Sequence, residues 1–130
     1  MDALVAALAP GINAPGSCND GFLRDDALLV VTFISDDPNY EDSGTPDSWY
    51  QAVVAAKKGD PKAVAVVGFT PATCGTGGGS KINGKHWEEF VSKFPFSVHA
   101  QVCATDYVSS FQQAVQVVDE SCDQYIPPVN

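Results

Sequence analysis

A chain of 130 residues that is 45% hydrophobic can bury one core and is too apolar to remain disordered. Its 16 acidic against 7 basic residues give a formal charge of -9, a field that repels nucleic-acid phosphates and anionic lipid surfaces, so neither is expected as a partner. No apolar run approaches the roughly 18 residues of a membrane span, and Met1-Asp2-Ala3-Leu4 carries no basic n-region; neither membrane insertion nor a signal peptide is read here.

Asp2 to Leu8 is rich in Ala and Leu and favours a helix, which Pro10-Gly11 and Pro15-Gly16 interrupt, so residues 10–21 are expected as a loop. Ala27 to Ile34 is a nearly unbroken apolar run without Gly or Pro, the pattern of a strand covered on both faces of a parallel sheet. After the acidic loop Ser35 to Gly44, Thr45 can cap a helix with Pro46 at its first position, running to Lys58 and stopping at Gly59.

Ala63 to Phe69 repeats the strand signal. The Gly-rich stretch Thr70 to Gly84 follows, then a short amphipathic helix Lys85 to Phe94 and a third strand Phe96 to Val102. Thr105 or Asp106 can cap a last helix in which Tyr107, Val108, Phe111, Ala114, Val115 and Val118 recur at helical spacing, ending near Cys122 before Pro127-Pro128. Strand and helix alternate three times, which predicts an α/β chain of three-layer Rossmann type: a partial parallel sheet of about three strands flanked by helices and joined by right-handed crossovers. The whole of 1–130 reads as one partial domain, with an N-terminal helix and loop over 1–20 and a C-terminal tail over 123–130. A sheet this small leaves an apolar strand edge without a neighbour.

Ligands of open α/β sheets sit beyond the carboxyl ends of the strands, which directs attention to loops 35–47, 70–84 and 103–106. The first holds Asp36, Asp37, Glu41, Asp42 and Asp47 with Ser35, Asn39 and Ser43, hard oxygen donors of the kind that bind Mg²⁺ or Ca²⁺, although an acidic solvated turn has the same composition. An EF-hand is excluded: counted from Asp37, the required Gly is Asp42 and the closing Glu is Ser48. Gly79 to Lys85 matches the spacing of a phosphate-binding loop, but His86 stands where a Mg²⁺-binding Ser or Thr is needed, so a surface loop is the expectation.

No Ser or Cys lies beside a recognisable base. His99, within a strand, is expected to be satisfied in or near the core and His86 to be solvent-exposed, and no catalytic residue is assigned. Cys103, at a strand's end and a helix's start, has the setting of a reactive thiolate, but cystine is the expected role.

Cys18, Cys74, Cys103 and Cys122 are too far apart in sequence for a zinc ribbon, and their even number suits two disulfides and an oxidising compartment. Cys74 and Cys103 both follow strands and so share one rim of the sheet. Cys18 precedes the first strand and Cys122 closes the last helix, at the opposite rim. The expected bridges are therefore Cys74–Cys103 and Cys18–Cys122.

The run Asn19-Asp20-Gly21-Phe22-Leu23-Arg24-Asp25-Asp26-Ala27, followed by the strand to Ile34 and by Ser35-Asp36-Asp37, resembles the fourth-strand region of von Willebrand factor A (vWA) domains in bacterial exported proteins and lipoproteins. Trp49-Tyr50, Lys57-Lys58-Gly59-Asp60, Gly68, Val102-Cys103-Ala104-Thr105-Asp106-Tyr107, Cys122 and Pro127-Pro128 extend the likeness over most of 19–128. The resemblance implies the C-terminal half of a vWA-like fold acting as an adhesion or protein-binding module, extracytoplasmic (periplasmic or cell-surface) in its parent protein. It places Asp36 where the family's third metal-site motif has its aspartate, with Asp37 and Asp42 as weaker candidates for a loosely held Mg²⁺ or Ca²⁺. The family's D-x-S-x-S loop and second-motif Thr have no counterpart here, so the metal site is expected to be incomplete. The missing neighbour of strand 27–34 further implies a homodimer, or a partner segment, at that edge. The alternatives are a small flavodoxin-like enzyme using loop 70–84 for flavin or nucleotide, and a structural remnant without a ligand.

Overall fold

The computed structural model describes residues 1–36, 41–71, 74 and 84–128. Val64–Thr70 has no charged side chain and is buried at every position, which suits a central strand. It pairs in parallel with Leu29–Ile34 on one side and Phe96–Gln101 on the other, giving a three-stranded sheet in the order β1 (Leu29–Ile34), β2 (Val64–Thr70), β3 (Phe96–Gln101). β1 is thus an edge strand, as the small sheet predicts.

Side chains alternate across the sheet. Val64, Val66 and Gly68 of β2 point to a front face together with Leu29, Val31 and Phe33 of β1; Ala65, Val67 and Phe69 point to the back with Val30, Thr32 and Ile34. Helices α1 (Asp2–Ala7), α3 (Pro46–Ala55) and α4 (Lys85–Val91) cover the front through a core of Leu8, Trp49, Val53, Trp87, Phe90 and Phe94. The back is covered by α5 (Val108–Gln124), which packs on β3 and β2 through Ala114. The result is the expected three-layer α/β arrangement. Val53, Val64, Val66, Phe90 and Val91 are almost wholly removed from water, and each such side chain contributes about 1.5–3 kcal/mol relative to exposure.

The local signals act as their chemistry requires. Thr45 Oγ1 accepts from the Ser48 amide at 3.2 Å while Ser48 Oγ accepts from the Thr45 amide at 2.8 Å, a reciprocal cap on α3, with Pro46 in the first turn. The chain leaves α3 through Lys58 and Gly59, both with positive φ, and the Gly59 amide closes the end on Val54 O at 2.9 Å.

Two expectations need correction. Residues 10–13 are not loop but a short helix, α2 (Pro10–Asn13): Pro10 begins a new turn instead of only ending the old one, and Asn13 Nδ2 ties it back to Ala7 O at 2.8 Å and Ala9 O at 3.0 Å. β1 is covered on one face only, since Val30, Thr32 and Ile34 are exposed. Its apolar run belongs to a strand on which α5 packs less than it does on β2 and β3.

Candidate functional site

Parallel strands deliver their carboxyl ends to one rim, the place where open α/β sheets hold their ligands. The Ser35 amide donates to Phe69 O at 3.0 Å, which carries the β1–β2 ladder one residue further and leaves Asp36 exposed just beyond it. Thr70 ends β2 fully buried, its Oγ1 2.7 Å from Nε2 of His99. Burial lowers the His99 pKa below its ordinary value, and the carboxylate of Glu88 opposes that shift. His99 is thus satisfied near the core, as its place in a strand suggests.

Cys74 and Cys103 are joined by a disulfide with Cα atoms 5.5 Å apart, clamping the residues after β2 to the end of β3. Asp106 Oδ1 accepts from the Val108 amide at 2.9 Å and starts α5. Tyr107 packs its ring edge-on against Phe69, 5.8 Å between centroids, and donates its hydroxyl proton to Val102 O.

Two carboxylates of the acidic loop, Asp42 and Asp47, are held by contacts with the rest of the fold. Asp42 pairs with the Met1 ammonium and accepts from the Asp2 amide at 3.3 Å, Asp2 in turn accepts from the Ser43 amide at 3.0 Å, and Ser43 O receives Trp49 Nε1–H at 2.7 Å. Asp47 is 2.5 Å from Lys93 Nζ. Asp42 thus ties the start of α1 to the acidic loop. Asp37 lies outside the described residues, as does 75–83 with most of the phosphate-loop match. Among the described residues no three His, Cys, Asp or Glu side chains converge as a metal site would require.

The second expected bridge is absent: Cys18 and Cys122 are both free and exposed. The rim argument fixes which end of the sheet each occupies but not which face. Cys18 follows the N-terminal helices, whose Leu4, Val5 and Leu8 belong to the front core, whereas Cys122 is carried by α5 on the back, where Ser121 is the residue turned inward. His86 also departs from expectation. It is half-buried, its ring edge-on to Trp49 at 6.4 Å, because α4 must turn its neighbour Trp87 into the core; its Nδ1 is buried without a hydrogen-bond partner among the described residues.

Two features were not read from the sequence. Lys57 is nearly buried at the opposite rim, where its Nζ donates to Arg24 O at 2.6 Å and Ala27 O at 2.5 Å and lies 5.7 Å from the centre of the Tyr125 ring. Desolvation lowers its pKa, with Asp25, Asp26 and Asp60 opposing. The Lys-Lys-Gly ending of α3 signals a helix terminus, but nothing local shows that one lysine turns inward to hold the entry into β1. The other is a trough on the back of the sheet. Val108, Phe111 and Val115 share one flank of α5 and are 61%, 50% and 60% exposed, while Val30 and Ile34 of β1 are 44% and 64% exposed. The Phe111 ring sits 5.0 Å from that of the buried Phe69, whose partner on β1 is Ile34, so the helix flank and the strand face lie on either side of Phe69.

Searches with family models, curated proteins and solved structures find no match to this chain.

Proposed function

We propose that this chain is a non-enzymatic protein-interaction module built like the second half of a vWA domain, with an incomplete metal site, working outside the cytoplasm as part of its parent protein. The carrying observation is the exposed apolar surface of Val30, Ile34, Val108, Phe111 and Val115. Soluble domains seldom leave large apolar side chains adjacent and uncovered unless a partner uses them. The Cys74–Cys103 bridge favours an oxidising compartment. Among the described residues a hydroxyl–imidazole pair lies near the rim, but its Thr70 has no exposed surface from which to attack a substrate.

The test is the thermal midpoint under non-reducing conditions with and without Mg²⁺, Mn²⁺ or Ca²⁺, using Asp36→Ala as control. An incomplete site gives the same midpoint in every buffer. A metal-dependent rise that disappears in Asp36→Ala would overturn the incomplete-site reading, and flavin or nucleotide co-purifying with the chain would overturn the non-enzymatic one.

A further inference from the structure

We infer that the trough on the back of the sheet is the docking site for a basic amphipathic helix of a partner protein. This rests on the interaction-module reading and deepens it, naming the partner's chemistry at a surface away from the Asp36 rim.

The shape follows from the layers. A parallel sheet is stable in water when helices cover both faces, and here α5 covers β2 and β3 on the back but leaves Val30, Thr32 and Ile34 of β1 open. Packed helices lie about 8–10 Å apart and neighbouring strands about 4.8 Å apart. A second helix beside α5 therefore falls two strand spacings over, above β1 and its free edge. Its near wall would be the α5 flank of Val108, Phe111 and Val115, and its floor Val30 and Ile34. Six residues of β1 run about 20 Å, the length of a helix of about 13 residues.

Charge commits the occupant. From Asp25 to Asp36, and again from Cys103 to Pro128, the sequence contains no Lys, Arg or His, yet these two stretches bear Asp26, Asp36, Asp106, Asp119, Glu120 and Asp123 besides Asp25, which pairs with Lys58. Asp26 and Asp119 lie toward one end of the trough and Asp36 and Asp106 toward the other, all exposed. The apolar floor thus ends in acid both ways, which fits a helix with Leu-like residues at i, i+3, i+4 and i+7 and Lys or Arg near both termini. A second copy of this chain does not fit: the trough would meet its own negative charge, and α5, the helix with an apolar flank to offer, has three acidic residues and no basic one.

The test titrates the whole oxidised chain against a labelled Leu/Lys peptide of about 14 residues with that apolar spacing. A Leu/Glu peptide of the same spacing and a scrambled Leu/Lys peptide serve as controls, read by fluorescence anisotropy. The patterned Leu/Lys peptide should bind, the controls at least about tenfold more weakly, and Ile34→Thr or Val115→Gln should each weaken binding by about tenfold while the circular dichroism spectrum is unchanged. Asp119→Lys should weaken the Leu/Lys peptide and strengthen the Leu/Glu one, whereas Glu41→Gln in the acidic loop should leave both within about twofold. Equal binding of patterned and scrambled peptides, or indifference to Ile34→Thr and Val115→Gln, overturns the inference. So does a dimer by light scattering that Ile34→Lys dissociates, because a second copy would then be the occupant. Metal response is read at the rim and peptide binding at the back, so failure of one is separable from failure of the other.

Discussion

The two faces of this sheet are made from similar strand residues and end in opposite states. On the front, Leu29, Val31, Phe33, Val64 and Val66 meet helices carrying Trp49, Trp87, Phe90 and Phe94, and Phe33 lies 4.8 Å from Trp87 and 6.2 Å from Phe90 between ring centres. On the back, the buried cluster is Val67, Phe69 and Ala114 with Ala100 beside it, while Val30 and Ile34 remain in water. An apolar strand residue is buried only where a neighbouring element supplies the opposing surface. Among the described residues three helices reach the front and one reaches the back, so the buried contact that stabilises the fold is concentrated on the front.

That division is open to attack by mutation, starting with the largest effect. Phe90 has no exposed surface and its ring packs near Phe33, Trp49 and Phe94, so Phe90→Ala should cost about 3–5 kcal/mol in urea unfolding. Phe111→Ala on the half-covered back should cost about 1 kcal/mol. Equal costs would mean that the back is as fully built as the front. A smaller loss is expected where the front is already full: a Cβ on Gly68 would stand 2.8 Å from Phe33 Cζ and 2.9 Å from Val91 Cγ2. Gly68→Ala should therefore overpack the front and cost about 1–3 kcal/mol, and a neutral or stabilising result would show that this interface has slack.

The elements of both faces were legible because their signals are local: the uncharged run of β2, the Thr45-Pro46 start of α3, the glycine that ends it, and the 3.6-residue period of α5. The rim was legible from connectivity, and the Cys74–Cys103 bridge follows from it. What could not be read depends on which face an element visits. The run 27–34 looks the same whether one or two faces are covered, so the exposure of Val30 and Ile34 was missed, and with it the trough. The period that announces α5 records which residues share a side of the helix, not whether another element covers them. Cys18 and Cys122 failed for the same reason, since the sheet's end can be deduced from chain order but its face cannot. Asp42 and Lys57 find partners 41 and about 30 residues away in sequence, and no short-range pattern carries that information.

The smallest effect expected is one of pH, and it bears on the front alone. Ser97, His99 and Gln101 alternate onto the front of β3, and His99 Nε2 meets the hydroxyl of the buried Thr70. Burial holds the imidazole pKa below 6.5 in the folded chain despite the opposing field of Glu88. In the unfolded chain His99 takes up its proton near the ordinary value of about 6.5. As pH falls through that value the unfolded state gains protons before the folded one does, so stability declines until the folded pKa is reached and His99 contributes no further slope below it. Above pH of about 6.5 both states are neutral and the contribution is constant. Urea unfolding between about pH 7.5 and about pH 5.5 should thus show a decline that His99→Gln removes, the amide retaining a hydrogen-bonding group for Thr70 without a titrating proton. A wild-type profile that is flat across this window, or a decline that persists undiminished in His99→Gln, would show that the ring is not desolvated there. Ile34→Thr, on the back, should leave the His99 decline unchanged; if it alters that decline, the two faces are coupled through β1 and β2, and the division between the filled front and the open back fails.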